Sequence, residues 1–193
     1  SDLGDGCYSF NERGTGRVIF SVADDEPEVY ERLVYLCRRF FGLEPAINKK
    51  PNDRSTNLYY NSTVLAHWLK HIGVDKDSAM DVKVPEIIFK AGRDIAFGFL
   101  RGLFSSDGSI TTEGYISLYS ISKELIDGVR ELLLSLGIPS RTSINTNRSD
   151  SFGKNPVYKL NIITKEGRFI FKDMVGFFVA TKNDRLDMIS DTA

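Results

Sequence analysis

Cysteine is scarce in this sequence: Cys7 and Cys37 are the only two, and neither belongs to a CxxC pair. That scarcity excludes a disulfide framework and argues against a structural zinc site. No apolar run approaches the roughly 20 residues that a membrane-spanning helix needs. The first six residues also lack the basic and apolar segments of a secretory signal. We therefore expect an intracellular protein with no membrane partner: cytoplasmic in a prokaryote, organellar or nuclear otherwise.

A basic excess is missing as well, since the net charge is -1. Taken alone, this counts against a nucleic-acid partner. The charges are nevertheless segregated along the chain. Residues 24–44 hold six acidic side chains against three arginines, whereas residues 141–159 hold four basic side chains against Asp150 alone. One face of a near-neutral protein can therefore be basic.

The same order of predicted elements occurs twice. In the first half, turn residues and hydrophobic periodicity predict a strand pair, a helix, a second strand pair and a second helix, over residues 7–22, 27–42, 46–60 and 64–72. In the second half a hydrophobic helix precedes the same four elements, over residues 94–105, 109–120, 122–136, 141–163 and 165–175. The 165–175 helix is predicted to be the last full helix.

The two halves also share a register, because Asp5-Gly6 and Asp107-Gly108 lie 102 residues apart. We therefore predict an α+β fold of two αββαββα repeats, residues 1–90 and 91–193. The alternative is a pair of unrelated α+β segments that are alike by chance.

The helix before Asp107-Gly108 is spaced by small residues, Ala96, Gly98 and Gly102. Glycine inside a helix costs about 1 kcal/mol relative to alanine, and it is tolerated where a second backbone approaches closely. A carboxylate at a helix C-terminus faces the negative end of the dipole, which a divalent cation would offset. Asp5-Gly6 offers the same chemistry in the first half. The pair predicts a metal site for phosphodiester cleavage, whereas a single Asp-Gly is more simply a turn.

These residues carry a family resemblance. Residues 100–108, Leu-Arg-Gly-Leu-Phe-Ser-Ser-Asp-Gly, resemble the LAGLIDADG motif, and residues 3–6, Leu-Gly-Asp-Gly, resemble the end of its first copy. Lys83-Val84-Pro85 resembles the Lys-x-Pro element of intein-borne homing endonucleases, and residues 120–125 and 182–186 resemble later segments of those domains. The resemblance implies two pseudo-symmetric repeats, with the motif helices at their interface and two antiparallel sheets forming a DNA-binding saddle.

The resemblance also implies a metal-binding site in each repeat. Asp5 and Asp107 would bind the metal, helped by the backbone carbonyls of Gly4 and Ser106. The implied cofactor is Mg²⁺, with two or three ions shared by the two active sites.

Lys83 and Lys182 match the basic residues of the family, which stabilise charge or polarise the attacking water near the scissile phosphates. The plainer interpretation of each is a solvated surface lysine. The implied function is a site-specific, metal-dependent double-strand DNA endonuclease with a long asymmetric target. The alternative is a LAGLIDADG-like nucleic-acid-binding protein without cleavage: a maturase, a regulator or a decayed endonuclease.

Side chains suited to DNA contact lie in the hairpin regions. Basic residues can meet phosphates or guanine edges, and asparagines can pair with adenine. The candidates are Arg13, Arg17, Lys49, Lys50, Arg54, Arg141, Asn145, Asn147, Arg148, Lys154 and Lys159. Because side chains alternate along a strand, we expect only about half of them to face the DNA.

The sequence departs from the family at its first motif. A shift of 102 residues matches Phe104 to Asp2, so most of the first motif helix is not represented. We expect a monomer with an internal pseudo-two-fold, unless another segment or chain supplies that helix. His67 and His71 have the spacing of zinc ligands on a helix, but no third ligand is evident.

Overall fold

A computed structural model describes residues 7–49, 54–74, 81–145 and 156–188 of the chain. The chain divides into two compact units, residues 1–75 and residues 76–193. The predicted repeat boundary at residues 90 and 91 stays a prediction, because a repeat boundary and a packing boundary need not coincide. No helix among the described residues is long and apolar enough to cross a membrane.

The first unit is a four-stranded antiparallel sheet with two helices. Its elements are β1 (Cys7–Phe10), β2 (Gly16–Ala23), α1 (Pro27–Phe41), β3 (Ala46–Asn48), β4 (Ser55–Tyr60) and α2 (Thr63–His71). The strand order is β1-β2-β4-β3, so the two hairpins meet along the β2–β4 pairing.

Local chemistry explains how these elements begin and end. The Asn11 carboxamide oxygen accepts hydrogen bonds from the backbone amides of Arg13 and Thr15, at 3.0 and 2.9 Å, which fixes the β1–β2 turn. α1 begins at a proline, whose missing amide hydrogen costs nothing in the first turn. It ends at Gly42, whose φ of 64° favours glycine. α2 begins where the Ser62 hydroxyl accepts a hydrogen bond from the Leu65 amide.

The core of the first unit lies between the sheet and its helices. Alternate strand residues form one side of it, and residues of α1 and α2 form the other. The buried members are Val18, Val22, Cys37, Leu58, Tyr60, Leu65 and Ala66.

The second unit repeats this plan and adds helices. Its elements are α3 (Glu86–Lys90), α4 (Arg93–Asp107), β5 (Gly108–Ile110), β6 (Ile116–Ser120), α5 (Lys123–Ser135), β7 (Arg141–Asn145), β8 (Val157–Ile162), α6 (Lys165–Ile170) and α7 (Ala180–Met188). A π-helical turn, Phe171–Val175, continues α6. The strand order is β5-β6-β8-β7, which matches that of the first sheet position by position.

α4 contributes three fully buried apolar side chains to the second core. Leu100, Leu103 and Phe104 are fully buried. The ring of Phe104 lies 5.0 Å from that of Phe171, edge to face, and Phe171 also packs against Phe177. Edge-to-face geometry is the favourable one for aromatic pairs. The π-helical turn is thereby held against the helix that ends in Asp107.

The predicted α+β fold with two antiparallel four-stranded sheets is confirmed. The prediction of residues 165–175 as the last full helix is wrong, because α7 follows. α7 escaped prediction because Leu186 is its single buried residue, so it has no apolar periodicity. The leading helix predicted for the first repeat falls outside the described residues.

Candidate active site and nucleic-acid interface

α4 passes directly into β5, with Asp107 as the last helical residue and Gly108 as the first residue of the strand. Gly108 has an ordinary φ of -84°, so left-handed geometry does not require glycine there. Lack of space requires it instead, because a Cβ at Gly108 would lie 2.4 Å from the carbonyl oxygen of Phe104 and 2.8 Å from its Cα. The Asp-Gly pair therefore makes a loop-free corner with the carboxylate on its helical side.

A cationic side chain lies beside this corner. The Lys182 ammonium donates a hydrogen bond to the carbonyl oxygen of Ser105, at 2.5 Å, in the last turn of α4. A positive charge is favourable there, because carbonyls at a helix C-terminus carry partial negative charge. The structure thus brings Lys182 to the helix end that Asp107 occupies, and its catalytic role stays a prediction.

The approach to Lys182 is fixed by an asparagine. Asn183 accepts a hydrogen bond from the Phe177 amide at 2.9 Å and donates one to the Phe177 carbonyl at 2.7 Å. Gly176, with a φ of 62°, turns the chain just before Phe177, the residue that forms these two hydrogen bonds. Sequence reasoning missed Asn183. Its position within the family-like segment 182–186 was the available signal.

Lys83, the other predicted basic residue, has different surroundings. It lies in an open cleft at the N-terminal end of α5, together with Lys123, Glu124 and Tyr158. The preceding Val82 carbonyl accepts a hydrogen bond from the Ser122 hydroxyl at 2.5 Å. Its predicted partners Asp5 and Gly4 lie outside the described residues, so the first active site stays a prediction.

The donor set at the end of α4 fits a hard cation held by few protein ligands. The Ser106 hydroxyl donates to the Leu103 carbonyl within its own helix, at 3.1 Å, so a metal contact from Ser106 would fall to its carbonyl. Among the described residues, no three His, Cys, Asp or Glu side chains cluster for a metal. Mg²⁺ needs only one or two carboxylates, completed by carbonyls, waters and phosphates, so one aspartate is compatible with it. His67 packs instead against the Phe10 ring, at 4.7 Å.

The sheet face of the first unit that points away from its core is rich in amides and hydroxyls. Residues directly opposite each other on paired strands share a face. The pairs Ser21–Asn57 and Asn48–Asn57 therefore lie on that outer face. Arg17 is exposed near the start of β2, and its Nε donates a hydrogen bond to the Asn61 carboxamide oxygen at 3.1 Å.

The outer face of the second sheet is polar and more basic. Lys159 pairs with Tyr119 and with Ser143, and Arg141 pairs with Asn161. The Ser117 hydroxyl donates to the Asn161 carboxamide oxygen at 2.9 Å. Tyr119 and Asn161 were not among the predicted contact residues. The two-residue alternation counted from Lys159 along β8 could have identified Asn161.

The remaining predicted DNA contacts lie elsewhere. Arg13 is in the β1–β2 turn, Arg54 directly precedes β4, and Lys49 forms an ion pair with Asp24 at 3.0 Å. The Thr56 hydroxyl and then Lys49 lower the pKa of Asp24. Four further residues and one side chain lie outside the described part of the chain: Lys50, Asn147, Arg148, Lys154 and the side chain of Asn145.

Comparison with known families gives a match over the second unit. The model of the LAGLIDADG-like domain matches residues 94–176, which run from α4 to the residue after the π-helical turn.

Three relatives illustrate the sequence likeness. The NrdEB ribonucleoside-diphosphate reductase alpha subunit of Bacillus subtilis strain 168 is 30% identical over 149 residues, which are 69% of this chain and 14% of that protein. The glutamine–fructose-6-phosphate aminotransferase of Methanocaldococcus jannaschii is 29% identical over 97% of this chain and 16% of that protein. The DNA polymerase of Thermococcus kodakarensis is 30% identical over 89% of this chain and 10% of that protein. The chain thus spans 16% or less of the length of these relatives.

Solved structures share the fold. The homing endonuclease I-DmoI, in complex with DNA and Ca, matches with a TM-score of 0.66 and 16% identity, over 95% of this chain and 90% of that chain. Full-length DUF199/WhiA from Thermatoga maritima matches with a TM-score of 0.58 and 18% identity, over 95% of this chain and 55% of that chain. The family match shows that the second unit contains a LAGLIDADG-like domain, and the repeated α+β fold with its paired four-stranded sheets is the fold of the homing endonuclease I-DmoI.

Proposed function

We propose that the chain is a site-specific, metal-dependent DNA endonuclease that cuts both strands of a long duplex target. The observation that carries the proposal is the end of α4, where Asp107 closes the helix and Lys182 reaches the Ser105 carbonyl at 2.5 Å. A carboxylate that faces bound DNA repels its phosphates, so a protein that only binds DNA has no use for one at this helix end. A nuclease uses it to hold a cation.

In this proposal, each repeat holds a metal ion with one carboxylate and one backbone carbonyl. Asp107 and the Ser106 carbonyl hold a divalent cation, and Asp5 with the Gly4 carbonyl does so in the other repeat. Bound there, Mg²⁺ would supply Lewis-acid stabilisation of the charge that develops on the phosphate. I-DmoI structures have been solved with its target DNA and Mg, and with DNA and Mn or Ca, which supports a divalent cation here; two or three ions shared by the two active sites are our proposal.

Lys182 contributes charge without leaving its helix contact. Its ammonium carries a positive charge at the end of α4, where it donates a hydrogen bond to the Ser105 carbonyl. Its position beside the last helical turn lets it face a phosphate oxygen or an attacking water near Asp107. Lys83 is proposed for the same role with Asp5.

The sheets supply recognition. Arg17, Arg141 and Lys159 lie on the outer faces or at their edges, among asparagines and serines that can contact base edges. Duplex DNA is therefore the proposed partner, bound by a single chain with one active site per repeat.

The relatives favour an inserted element as the origin. A reductase, an aminotransferase and a DNA polymerase share no reaction, yet each contains a segment like this chain that makes up 16% or less of its length. A mobile endonuclease segment inserted into unrelated hosts accounts for that distribution. We therefore propose the endonuclease portion of an intein rather than an intron-encoded enzyme.

The second candidate is a binder without cleavage. The likeness to full-length DUF199/WhiA, at a TM-score of 0.58, supports it because the fold is shared beyond I-DmoI.

A cleavage selection separates the two candidates. The protein is incubated with a large random duplex library and Mg²⁺, and the cut ends are sequenced beside an EDTA control and an Asp107→Asn variant. The endonuclease gives matched double-strand cuts that EDTA abolishes and that the variant loses or converts to nicks. Retained duplex binding with no enriched cuts establishes the binder instead.

A further inference from the structure

Ser105 is one of three buried polar residues among those described, at 1% exposure. Its hydroxyl donates to the Arg101 carbonyl at 2.6 Å and accepts a hydrogen bond from the Phe178 amide at 2.7 Å. Its own carbonyl accepts the bond from Lys182. One residue of the motif helix therefore contacts the 176–183 segment through both its side chain and its backbone.

Arg101, one turn earlier on α4, binds the two residues that directly precede the 176–183 segment. Its guanidinium donates to the carbonyl of Val175 and, at 3.3 Å, to that of Met174. These carbonyls close the π-helical turn, where helical partners run out. The segment that carries Lys182 is thus attached to α4 at both of its ends and at Phe178 between them.

From this geometry we infer that Ser105 is a positioning residue for catalysis: it acts through Lys182, by holding the 176–183 segment in register with the helix end that bears Asp107. The inference rests on the proposed function. Because Ser105 is buried, it acts through the segment and not by touching substrate.

Other helical serines among the described residues form hydrogen bonds only within their own helix in the contacts that compare with those of Ser105. Ser106 donates to a carbonyl of α4, and Ser135 of α5 donates to the Leu132 carbonyl at 2.7 Å. Each satisfies a hydroxyl within its own helix. Ser105 differs because its oxygen also accepts from a backbone amide 73 residues away.

A double-mutant cycle tests the inference in cleavage. Ser105→Ala should slow single-turnover cleavage by about ten- to a hundredfold, as expected when a catalytic group is displaced by a fraction of an ångström to an ångström. Duplex affinity measured in EDTA should stay unchanged. Ser105→Thr keeps the hydroxyl and should restore most of the rate, and Ser135→Ala is the matched control for losing a helical hydroxyl. In a Lys182→Ala background, Ser105→Ala should cost less than about twofold, because its effect passes through the lysine.

A second readout needs no cleavage. Competitive acetylation followed by mass spectrometry compares the labelling rate of Lys182 with that of the exposed Lys165 in the same molecule. Ser105→Ala should raise the relative rate of Lys182 severalfold, whereas Ser135→Ala should not. Melting curves confirm that both variants are folded at the labelling temperature.

The outcomes are distinguishable. Unchanged Lys182 labelling in Ser105→Ala overturns the inference whether or not the protein cuts DNA. Equal rate losses from Ser105→Ala with and without Lys182 also overturn it. A wild-type protein that cuts nothing overturns the proposed function and with it the catalytic role of Ser105, whereas the labelling still decides separately whether Ser105 holds Lys182 in place.

Discussion

The ammonium of Lys159 lies 5.2 Å above the ring of Tyr119, at directly opposite positions of β8 and β6. Both side chains are on the outer face of the second sheet. A cation over an aromatic ring is stabilised while its remaining hydrogens stay available. The pair therefore presents a fixed positive charge among neutral polar neighbours.

Replacing Lys159 with alanine is expected to weaken duplex binding at every sequence. One lost phosphate contact should also reduce the slope of log affinity against log salt by about 0.9. A salt titration by fluorescence anisotropy measures both. Lys165→Ala, on α6, removes the same charge away from the sheet and should leave the slope unchanged. An unaltered slope for Lys159→Ala would place the DNA on another surface.

Arg17 is expected to act differently, through base choice. Its Nε is occupied by Asn61, which orients the two terminal nitrogens as a fork suited to a guanine edge. Arg17→Lys keeps the charge but loses the fork, so discrimination at one base pair should fall by about 1–3 kcal/mol while affinity for random duplex changes little.

Binding selections from a randomised half-site measure that discrimination. Asn61→Ala should relax the same base pair, and Arg13→Lys, in the neighbouring turn, should relax none. Uniform weakening across all sequences would instead make Arg17 a phosphate contact.

Gly108→Ala should destabilise the second unit by about 1–3 kcal/mol, because the added methyl group meets Phe104 backbone atoms that cannot move without distorting α4. Urea unfolding followed by circular dichroism measures the loss. Ser109→Ala, at the next and exposed position, should stay within about 0.5 kcal/mol of wild type. A neutral Gly108→Ala would show that the corner can relax.

The sequence predicted this corner, since Asp-Gly after a glycine-spaced helix is a local pattern. It predicted the strand pairs and the helices around them for the same reason. It could not predict the attachments of Arg101 and Ser105, because their acceptors and donors are backbone groups more than 70 residues away, which every residue possesses. Nor could it separate Lys182 from Lys83, whose different surroundings depend on tertiary packing.

Acid should weaken the first unit through Glu44. The Arg38 guanidinium, chiefly through two hydrogen bonds, lowers the pKa of the Glu44 carboxyl below its usual 4.5. A lowered pKa in the folded state means that the carboxylate stabilises the fold above pH 4.5 and that this contribution is lost as the pH falls through the lowered value. Wild type should therefore have a higher melting temperature than Glu44→Gln at pH 7, and the difference should shrink as the pH falls through the lowered pKa of Glu44.

Thermal melts across that pH range, at low salt, measure the difference. Glu31→Gln, at an exposed position of α1, serves as the control for removing an acidic charge. A difference that persists at the acidic end would assign the effect of Glu44→Gln to packing rather than to ionisation.

The absence of any loop between α4 and β5 has a mechanical consequence. A flexible connection would absorb a change of angle between a sheet and its neighbouring helix, but the Gly108 amide donates a hydrogen bond to the Phe104 carbonyl and no residues intervene between α4 and β5. When the β5–β6 hairpin tilts to follow a groove of the DNA, the carboxylate of Asp107 should change its orientation by the same angle. If the sheet binds a non-target sequence imperfectly, the carboxylate proposed to hold the metal would then be misaligned directly. No separate element would be needed to detect the mismatch.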